Sequence, residues 1–373
     1  MFLRKKGPKI VVSGYYGFDN CGDEAILFAM IHCLRKLRPN VRIVVLSNNP
    51  EKTEALYGVK AVNRWKPAAI AFELLTCRLF ISGGGSLIQD VTSTKSLNYY
   101  LMVILGASLL RKRVMIYGQG IGPILNEKNR IRTAKVLNRC SGITVRDVRS
   151  AALLKEIGVK ADIRVTCDPV MALSYEDVDR EDIRDDLQEM NILDDRGRKR
   201  KPLLLVMIRN WKDNKHMRPI AELLDVQARM GWDVLLAPAH FPEDMDSMNA
   251  IGNLMSERLY CLGKSLTASQ FLALTAYADR VFSMRLHGLI FAMAMGAPML
   301  GLSYDPKVDG FMEQAGLQRY CLPCDDFDWE TAEYLLEEME ASPLESRREQ
   351  ERRRQEMQEQ AWDMARKAIE LLD

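Results

Sequence analysis

Short apolar runs alternate with amphipathic stretches along most of the chain. Lys9–Ser13 is a β-branched run, a loop with several glycines follows, and apolar residues then recur at helical spacing from Ala25 to Leu37. The same order of strand, loop and helix returns through the first half, with further strands predicted near 42–46, 78–82, 113–117, 142–146 and 162–167. Alternation of this kind predicts a parallel α/β sheet covered by helices.

The pattern breaks between Tyr175 and Lys201, where the chain is first acidic, then basic, and carries little β character. Alternation then restarts, with strands predicted near 203–208, 233–237, 258–262, 279–283 and 298–303. We therefore predict two α/β domains, over 1–172 and 173–340. A loop or helix inserted into one large domain would give a similar pattern.

The residue pattern over 341–373 predicts a helix that packs back across the domains. Trp362, Ala365, Ile369 and Leu372 fall near helical spacing. An arginine-rich stretch, RREQERRR, precedes them. It fits either a solvated helix face with ion pairs between successive turns or a patch attracted to an anionic membrane.

Composition restricts the class of function. The chain has 373 residues, 47% hydrophobic and 27% charged, and 52 Lys and Arg against 50 Asp and Glu give a net charge of +2. This balance excludes a general affinity for nucleic acid, so any anion site must be local. The chain has no apolar run of membrane-spanning length and no cleavage-site pattern, which predicts a cytoplasmic protein.

The eight cysteines lie among apolar neighbours and fit a reducing compartment. Cys321 and Cys324 form one CxxC pair, which fits either core packing or a redox motif. A second such pair or nearby histidines would be needed for zinc, and the sequence has neither. We predict no metal site.

The stretch Ala278–Ala297 carries the strongest candidate chemistry. A strand ending near Ser283 should be followed by a helix from about Leu286 to Met295, with Arg285 and His287 at the junction. A helix N-terminus beyond a parallel strand presents N–H groups and a positive dipole end. We therefore expect an anion site there.

Two glycine loops are further candidates. Gly14–Asp23 lacks the spacing of a nucleotide-binding motif, whereas the three glycines of ISGGGSLIQD, 81–90, favour close approach of backbone to a ligand. Their polar side chains could contact a sugar or simply cap helices. The candidates for binding an acceptor are Tyr16, Asn20, Asp23, Gly84, Gly85, Gln89 and Asp90.

Charged residues at other strand ends complete the candidates. Arg146 and Arg209 each follow a buried strand, where an arginine requires a partner, either a ligand or a carboxylate such as Asp147 or Asp168. Lys307 is a further cation, located after the last predicted strand. His240, with Glu243 and Asp244, is the other histidine after a strand and could suggest a metal cluster, but a second histidine at ligand spacing is missing.

Six segments together resemble the polysaccharide pyruvyl transferases, and more narrowly their bacterial cell-wall branch associated with S-layer anchoring, usually called CsaB. The resemblance covers most of residues 9 to 315. Each glycine motif alone is weak, but the combination is specific. The segments are GYYGFDNCGDEAIL at 14–27, ISGGGSLIQD at 81–90, GQGIGP at 118–123, VRD at 145–147, SMRLHGLIFAMAMGAP at 283–298 and YDPKVDGF at 304–311.

The resemblance implies two Rossmann-like domains facing a cleft, as in GT-B glycosyltransferases. It implies transfer of pyruvate from phosphoenolpyruvate as a ketal, with release of phosphate and without a metal or redox cofactor. The implied acceptor is the 4- and 6-hydroxyls of N-acetylmannosamine in a lipid-linked disaccharide, a precursor of the secondary cell-wall polymer. An enzyme with such a substrate would work at the inner face of the plasma membrane.

Phosphoenolpyruvate carries a phosphate and a carboxylate on adjacent atoms, so it requires more than one cation. We expect its ligands to be Arg146, Arg209, Arg285, Leu286, His287 and Lys307. Ketal formation also requires a proton at C3, for which His287 is the candidate acid, with Arg285 beside it. A helix N-terminus lowers the pKa of a histidine, and we expect the bound anionic donor to raise it again.

Two other classes of function remain open. A nucleotide-sugar glycosyltransferase or epimerase would use Arg285 and the helix N-terminus for a diphosphate. A non-catalytic glycan-binding protein would release no phosphate from phosphoenolpyruvate in response to an acceptor.

Overall fold

The computed structural model describes residues 7–341 and 344–373. The chain forms two compact units, and the first is assembled from two separate parts of the sequence. It comprises Met1–Ala172 together with Met357–Asp373, whereas the second comprises Leu173–Glu356. The helix at the chain terminus therefore completes the first unit.

The first unit contains one sheet in which every paired strand is parallel. Its strand order is β3-β2-β1-β4-β6-β7-β8, with β5 beside the end of β6. The chain thus moves outward in opposite directions from β1 and β4, which makes the β1–β4 edge a topological switch point. The strands are β1 (Lys9–Ser13), β2 (Arg42–Ser47), β3 (Lys60–Asn63), β4 (Leu79–Ser82), β5 (Gly85–Ile88), β6 (Arg113–Ile121), β7 (Gly142–Val145) and β8 (Ile163–Val165).

Helices connect these strands because apolar residues recur on one side of each segment between them. The inner strands β1 and β4 are buried throughout and β6 is buried beyond its first residue, as expected for a parallel sheet covered on both faces. The helices are α1 (Cys21–Leu37), α2 (Pro50–Tyr57), α3 (Pro67–Thr76), α4 (Thr94–Leu109), α5 (Glu127–Leu137) and α6 (Val148–Glu156).

The second unit also contains a parallel sheet, with the strand order β11-β10-β9-β12-β13-β14 and a switch point between β9 and β12. Its strands are β9 (Leu203–Met207), β10 (Asp233–Leu236), β11 (Tyr260–Cys261), β12 (Arg280–Ser283), β13 (Met299–Ser303) and β14 (Cys321–Pro323). Its helices are α7 (Arg184–Glu189), α8 (Met217–Arg229), α9 (Met245–Leu254), α10 (Ala268–Tyr277), α11 (Leu286–Met295), α12 (Pro306–Gln314) and α13 (Trp329–Ala341).

The last helix, α14 (Leu344–Glu370), packs on the first unit from Met357 onward. Met357, Ala361, Met364 and Ala365 are buried there, and Trp362 Nε1 donates a hydrogen bond to the carbonyl of Ala172 over 3.1 Å. The preceding arginines pair with glutamates on the same helix. This is the arrangement expected of a solvated helix face.

The predicted parallel α/β organisation with two sheets is confirmed, and α11 has the predicted bounds. Three short strands were missed: β3, β5 and β14. β5 starts at the third consecutive glycine, and β14 ends in a proline, so neither has the β-branched composition of a typical strand.

All eight cysteines are free thiols, including Cys321 and Cys324. Within residues 7–341 and 344–373, no helix has the length and apolar composition required to cross a membrane.

Candidate active site

The switch point of the second unit brings two candidate arginines to the same edge of the sheet. β9 and β12 are neighbours, with Met207 opposite Ser283 in the register. Arg209 is the second residue beyond β9, and Arg285 is the second residue beyond β12. Because ligands of open α/β sheets bind beyond the carboxyl ends of strands at such a point, this edge is the main candidate site.

The junction between β12 and α11 is tightly built. Ser283 Oγ accepts a hydrogen bond from the Arg285 amide over 3.0 Å and donates one to the Arg285 carbonyl over 2.9 Å. Gly288 allows the first turn of α11 to approach the sheet, since a Cβ there would lie 2.5 Å from both Met207 Sδ and Ser283 Oγ. Among the described residues, no side chain caps the helix. The positive end of α11 is therefore held in a fixed position at the carboxyl edge.

Arg285 has a partner that was not predicted. Its Nη2 forms an ion pair with Asp244 Oδ1, and the Asp244 side chain is almost completely buried. The other carboxylate oxygen, Oδ2, accepts a hydrogen bond from the His240 amide over 2.9 Å. The loop after β10, which contains both residues, therefore fixes the position of the Arg285 guanidinium.

His287 is the second residue of α11 and is partly exposed. Its ring lies 6.0 Å, centroid to centroid, from the ring of Phe291, one turn further along the helix. Leu286, the first residue of the helix, is also partly exposed. The imidazole is thus presented from the first turn, where an anion at the helix N-terminus would bind.

Arg209 is held against an aromatic ring. Its Nη1 donates to the Tyr304 hydroxyl over 3.0 Å, and the guanidinium carbon lies 4.9 Å from the centre of the Tyr304 ring. The Arg209 carbonyl lies 3.2 Å from His216 Nε2, and burial lowers the pKa of this histidine. Lys307 lies in the first turn of α12 and is exposed. Arg209 and Lys307 are thus cations near the ends of β9 and β13.

In the first unit, the glycine loop before β5 lies against the start of α1. Gly85 has a φ of +87°, and a Cβ there would collide with Asp23 Oδ1. Gly84 packs on Ile26 of α1 in the same way. Tyr16 is completely buried beneath the loop, next to Gly83, so its ring supports the loop from inside the protein.

Asp23 is partly exposed, and its pKa is raised to about 7. Burial is the main cause, and the neighbouring carboxylates of Glu24 and Asp168 add to it, while the charge of Arg146 opposes it. Such a carboxyl group exchanges its proton near neutral pH, whereas an ordinary aspartate is fully ionised there. Asp23 can therefore act as a base.

Arg146 contacts both of the carboxylates predicted as alternatives. Its Nη1 lies 3.4 Å from Asp168 Oδ2, its Nε lies 3.7 Å from Asp147 Oδ2, and its Nη2 donates to Ser86 Oγ over 3.0 Å. The side chain is nearly buried at the end of β7, which is in the first unit. Arg209 and Arg285 both belong to the second unit.

Three of the predicted acceptor residues make local hydrogen bonds. Asn20 caps α1 by accepting from the amides of Gly22 and Asp23, and Gln89 bonds to Thr92 within its own loop. Asp90 accepts from the backbone amides of residues 125 and 126 and from the Asn129 side chain. These bonds favour the helix-capping interpretation for Asn20 and a loop-fixing role for the other two.

A polar hollow of about 690 Å³ lies at the carboxyl ends of β1, β2 and β3. The described residues that line it are Gly17, Phe18, Asp19, Asn48, Asn49, Pro50, Glu51, Asn63 and Lys66. Trp65, which is 60% exposed, donates through Nε1 to Asn48 Oδ1 over 2.9 Å. Beside it, the buried Arg64 lies within about 5 Å of four aromatic rings, those of Phe18, Trp65, Tyr99 and Tyr100.

Sequence reasoning missed this hollow and the arginine beside it. The sequence feature that could have indicated the hollow is the pair Arg64-Trp65 directly after β3. Because β3 is short and partly polar, it was not predicted as a strand. It also missed Asp244 as the partner of Arg285. Within residues 7–341 and 344–373, no group of His, Cys, Asp and Glu side chains could hold a metal ion.

Solved structures with similar folds include two in complex with UDP-sugars and a glycosyltransferase. HepE from Anabaena, solved in complex with UDP-glucose, is 14% identical, with a TM-score of 0.60 over 98% of this chain and 99% of its own. The UDP-GlcNAc 2-epimerase of Neisseria meningitidis, bound to UDP-GlcNAc, is 12% identical, with a TM-score of 0.65 over 97% and 99%. A glycosyltransferase from Rickettsia africae is 12% identical, with a TM-score of 0.60 over 98% and 97%. At these identities the likeness establishes a GT-B-like fold and nothing about substrate.

No curated protein matches the chain. The model of the polysaccharide pyruvyl transferase family, in contrast, matches residues 20–306. The matched part contains Asp23, the glycine loop before β5, Arg146, and the junction of β12 with α11. It also extends over more than half of the sequence. The chain therefore belongs to the polysaccharide pyruvyl transferase family.

Proposed function

We propose that this protein transfers the pyruvyl group of phosphoenolpyruvate to two hydroxyls of a glycan, forming a cyclic ketal and releasing phosphate. The observation that carries the proposal is the junction of β12 and α11 in a member of this family. There Arg285 and His287 occupy a helix N-terminus at a topological switch point.

The donor ligands we propose in the second unit are Arg285, the start of α11 at Leu286 and His287, Arg209 and Lys307. Asp244 already holds the Arg285 guanidinium in place, and an arginine has enough N–H donors to bind a carboxylate and an anionic ligand together. Arg209 retains donors beyond its bond to Tyr304 in the same way. In the first unit we propose Arg146 as a further cation for the donor.

We propose His287 as the general acid. A proton from its imidazole is added to C3 of phosphoenolpyruvate, which leaves C2 electron-deficient. One acceptor hydroxyl then forms a bond to C2, the C2–O bond to phosphate breaks, and the second hydroxyl closes the ring. The two hydroxyl protons released balance the proton given to C3 and the proton taken by phosphate.

On the acceptor side, the first unit offers Asp23 as the base that receives a hydroxyl proton. Its position beside Gly85 and its raised pKa support this role. The polar hollow beyond β1, β2 and β3 supports sugar binding, because amide side chains and an exposed tryptophan suit hydroxyls and sugar faces. Asn20, Gln89 and Asp90 hold the surrounding loops, and Tyr16 supports them from below.

The finer assignment is to the CsaB-like branch, on the motifs described above. The acceptor would then be N-acetylmannosamine in a lipid-linked precursor of the secondary cell-wall polymer, modified at its 4- and 6-hydroxyls. Such an enzyme contributes to S-layer anchoring and acts in the cytoplasm at the inner face of the plasma membrane.

The decisive experiment measures phosphate released from phosphoenolpyruvate with and without a synthetic glycolipid that ends in N-acetylmannosamine. Release should depend on the acceptor, and His287→Gln should lower its rate by about 10²- to 10⁴-fold, because the general acid is lost. His240→Gln is the matched control and should change the rate little. Near-normal turnover by His287→Gln would contradict the proposed acid role.

The second candidate is a nucleotide-sugar enzyme, because two solved structures that share this fold contain UDP-glucose or UDP-GlcNAc. Ligand-induced stabilisation separates the two candidates, since a ligand at about 100 times its Kd raises the unfolding free energy by about 2.7 kcal/mol. We expect phosphoenolpyruvate to raise the melting temperature and UDP-glucose or UDP-GlcNAc to leave it unchanged. The opposite result would favour the nucleotide-sugar enzyme.

A further inference from the structure

The helices α3 and α4 expose an apolar surface that, apart from Trp65 beside the polar hollow, takes no part in the proposed reaction. Trp65, two residues before α3, is 60% exposed. On α3 itself, Phe72 is 61% exposed and Leu75 is 56% exposed. On α4, Met102 and Leu109 are each 64% exposed. Side chains of this size are usually covered in a soluble protein when they form a continuous patch. We call these five residues the α3–α4 face.

The two helices lie side by side, so their exposed residues form one surface. The rings of Trp65 and Tyr99 are 5.6 Å apart, which joins the start of α3 to α4. At the other end, Lys112 Nζ donates to the Leu75 carbonyl over 2.8 Å, which joins the residues after α4 to the end of α3. The face is therefore continuous along both helices.

The exposed charges on the two helices, and on the residues directly next to their ends, are positive. Lys66, Lys95 and Arg111 are exposed at its ends. Lys95, Met102 and Leu109 follow at intervals of seven residues, which places them along one stripe of α4. The acidic residue of α3, Glu73, is 3% exposed and pairs with Lys9 and Lys60, and α4 contains no acidic residue. Nothing on these helices would repel an anionic surface.

We infer that the α3–α4 face docks the protein on an anionic lipid bilayer. Apolar and aromatic side chains would enter the boundary between headgroups and acyl chains, while the lysines and arginine contact the lipid phosphates. Trp65 suits this boundary, because its ring is apolar and its N–H is polar. The inference goes beyond the proposed reaction, since such docking would occur whether or not the acceptor carries a lipid.

The arginine-rich part of α14 is the less suitable surface. Arg352 pairs with Glu349 and Glu356 at 2.6 Å each, and Arg354 pairs with Glu351 at 2.7 Å. These carboxylates largely cancel the positive charge along the helix. The α3–α4 face combines uncancelled charge with apolar side chains, as a peripheral membrane surface requires.

The test is cosedimentation of the full-length protein with vesicles of phosphatidylcholine, alone or with about 30% phosphatidylglycerol, at about 0.1 M and about 0.5 M salt. We expect binding to the anionic vesicles that weakens with salt. The variant Phe72→Ser/Met102→Gln/Leu109→Gln should lower the partition coefficient by about tenfold or more. The variant Lys66→Gln/Lys95→Gln/Arg111→Gln should lose the preference for phosphatidylglycerol.

The matched control is Tyr334→Ser/Met230→Gln/Leu254→Gln, which replaces exposed apolar residues of the second unit and should bind like the unchanged protein. Melting temperatures, rather than turnover, verify that each variant is folded, so failure of the proposed reaction leaves the vesicle result interpretable. The inference is overturned if the unchanged protein ignores anionic vesicles, or if the α3–α4 variant binds as well as the control. It is also overturned if the protein is a dimer that this variant makes monomeric.

Discussion

Asp23, which we propose as the catalytic base, changes its protonation near neutral pH. The groups that act on it are Glu24 on the same helix, Arg146 beyond β7, and Asp168 beyond β8, with the buried ring of Tyr16 beneath. Its pKa of about 7 means that a modest fall in pH protonates it. A base that is protonated cannot accept the proton of an acceptor hydroxyl.

We therefore expect turnover to fall as the pH drops below about 7. Asp23→Asn should lower the rate by about 100-fold and remove this acidic limb from the pH profile, because the base is absent at every pH. The measurement is phosphate release as a function of pH. Asp162→Asn is the control, since Asp162 is an exposed aspartate of the same unit that lies outside both the glycine loop and the polar hollow. If the acidic limb persists in Asp23→Asn, another group is responsible.

The same carboxyl group affects stability with a definite sign. Its pKa in the folded protein exceeds its ordinary value, so the folded protein loses stability as the pH rises from that value to about 7. Asp23→Asn should therefore raise the unfolding midpoint more at about pH 8 than at about pH 4. An increase of equal size at both pH values would show that ionisation is not the cause.

At the residue scale, the sequence predicted the candidate site only in part. His287 and Arg285 are recognisable because a strand and a helix meet there in an evident pattern. Asp244 was not recognisable as the partner of Arg285, because it lies 41 positions earlier and is brought there by the packing of β10 beside β9. Tyr16 resembled a ligand residue in its loop, and only the fold shows that it is buried.

At the scale of elements, the start of α11 depends on the absence of a side chain at Gly288. Gly288→Ala should destabilise the protein by about 1 to 3 kcal/mol, because its Cβ would press on Met207 and Ser283. Gly310 is also helical but has open space around it, so Gly310→Ala should be neutral or stabilise by up to about 1 kcal/mol. Denaturant unfolding of both variants measures the difference. Equal effects would contradict the packing argument.

Elements with strong periodicity were predictable, whereas short strands defined by their partners were not. α11 was found with its bounds, since nine of the ten residues between Arg285 and a glycine C-cap are apolar or small. β5, four residues long, is a strand because it pairs with the end of β6, and its leading glycine gives no local indication of this. β3 was missed for a similar reason, because its edge position leaves it partly polar.

At the scale of the whole molecule, the stability of the first unit depends on residues at the end of the chain. Met364 is 1% exposed, and its sulfur lies 3.1 Å from Thr166 Oγ1. Met364→Ala should destabilise the first unit by about 2 to 5 kcal/mol through the cavity it leaves. Hydrogen exchange should accelerate at β6 and β7 while β9 and β12 keep their protection. Met230→Ala, at an exposed position, should change the exchange of neither unit.

The division of the chain also sets the order in which it can fold during synthesis. When the ribosome has made residues 7–172, all strands of the first unit's sheet have been synthesised. The surface of this unit that Met357, Met364 and Leu372 cover in the folded protein is still exposed to solvent. This surface stays exposed until the second unit and the residues after it have been synthesised. A fragment ending at Ala172 should therefore aggregate, and one in which a short linker joins it to residues 357–373 should remain in solution.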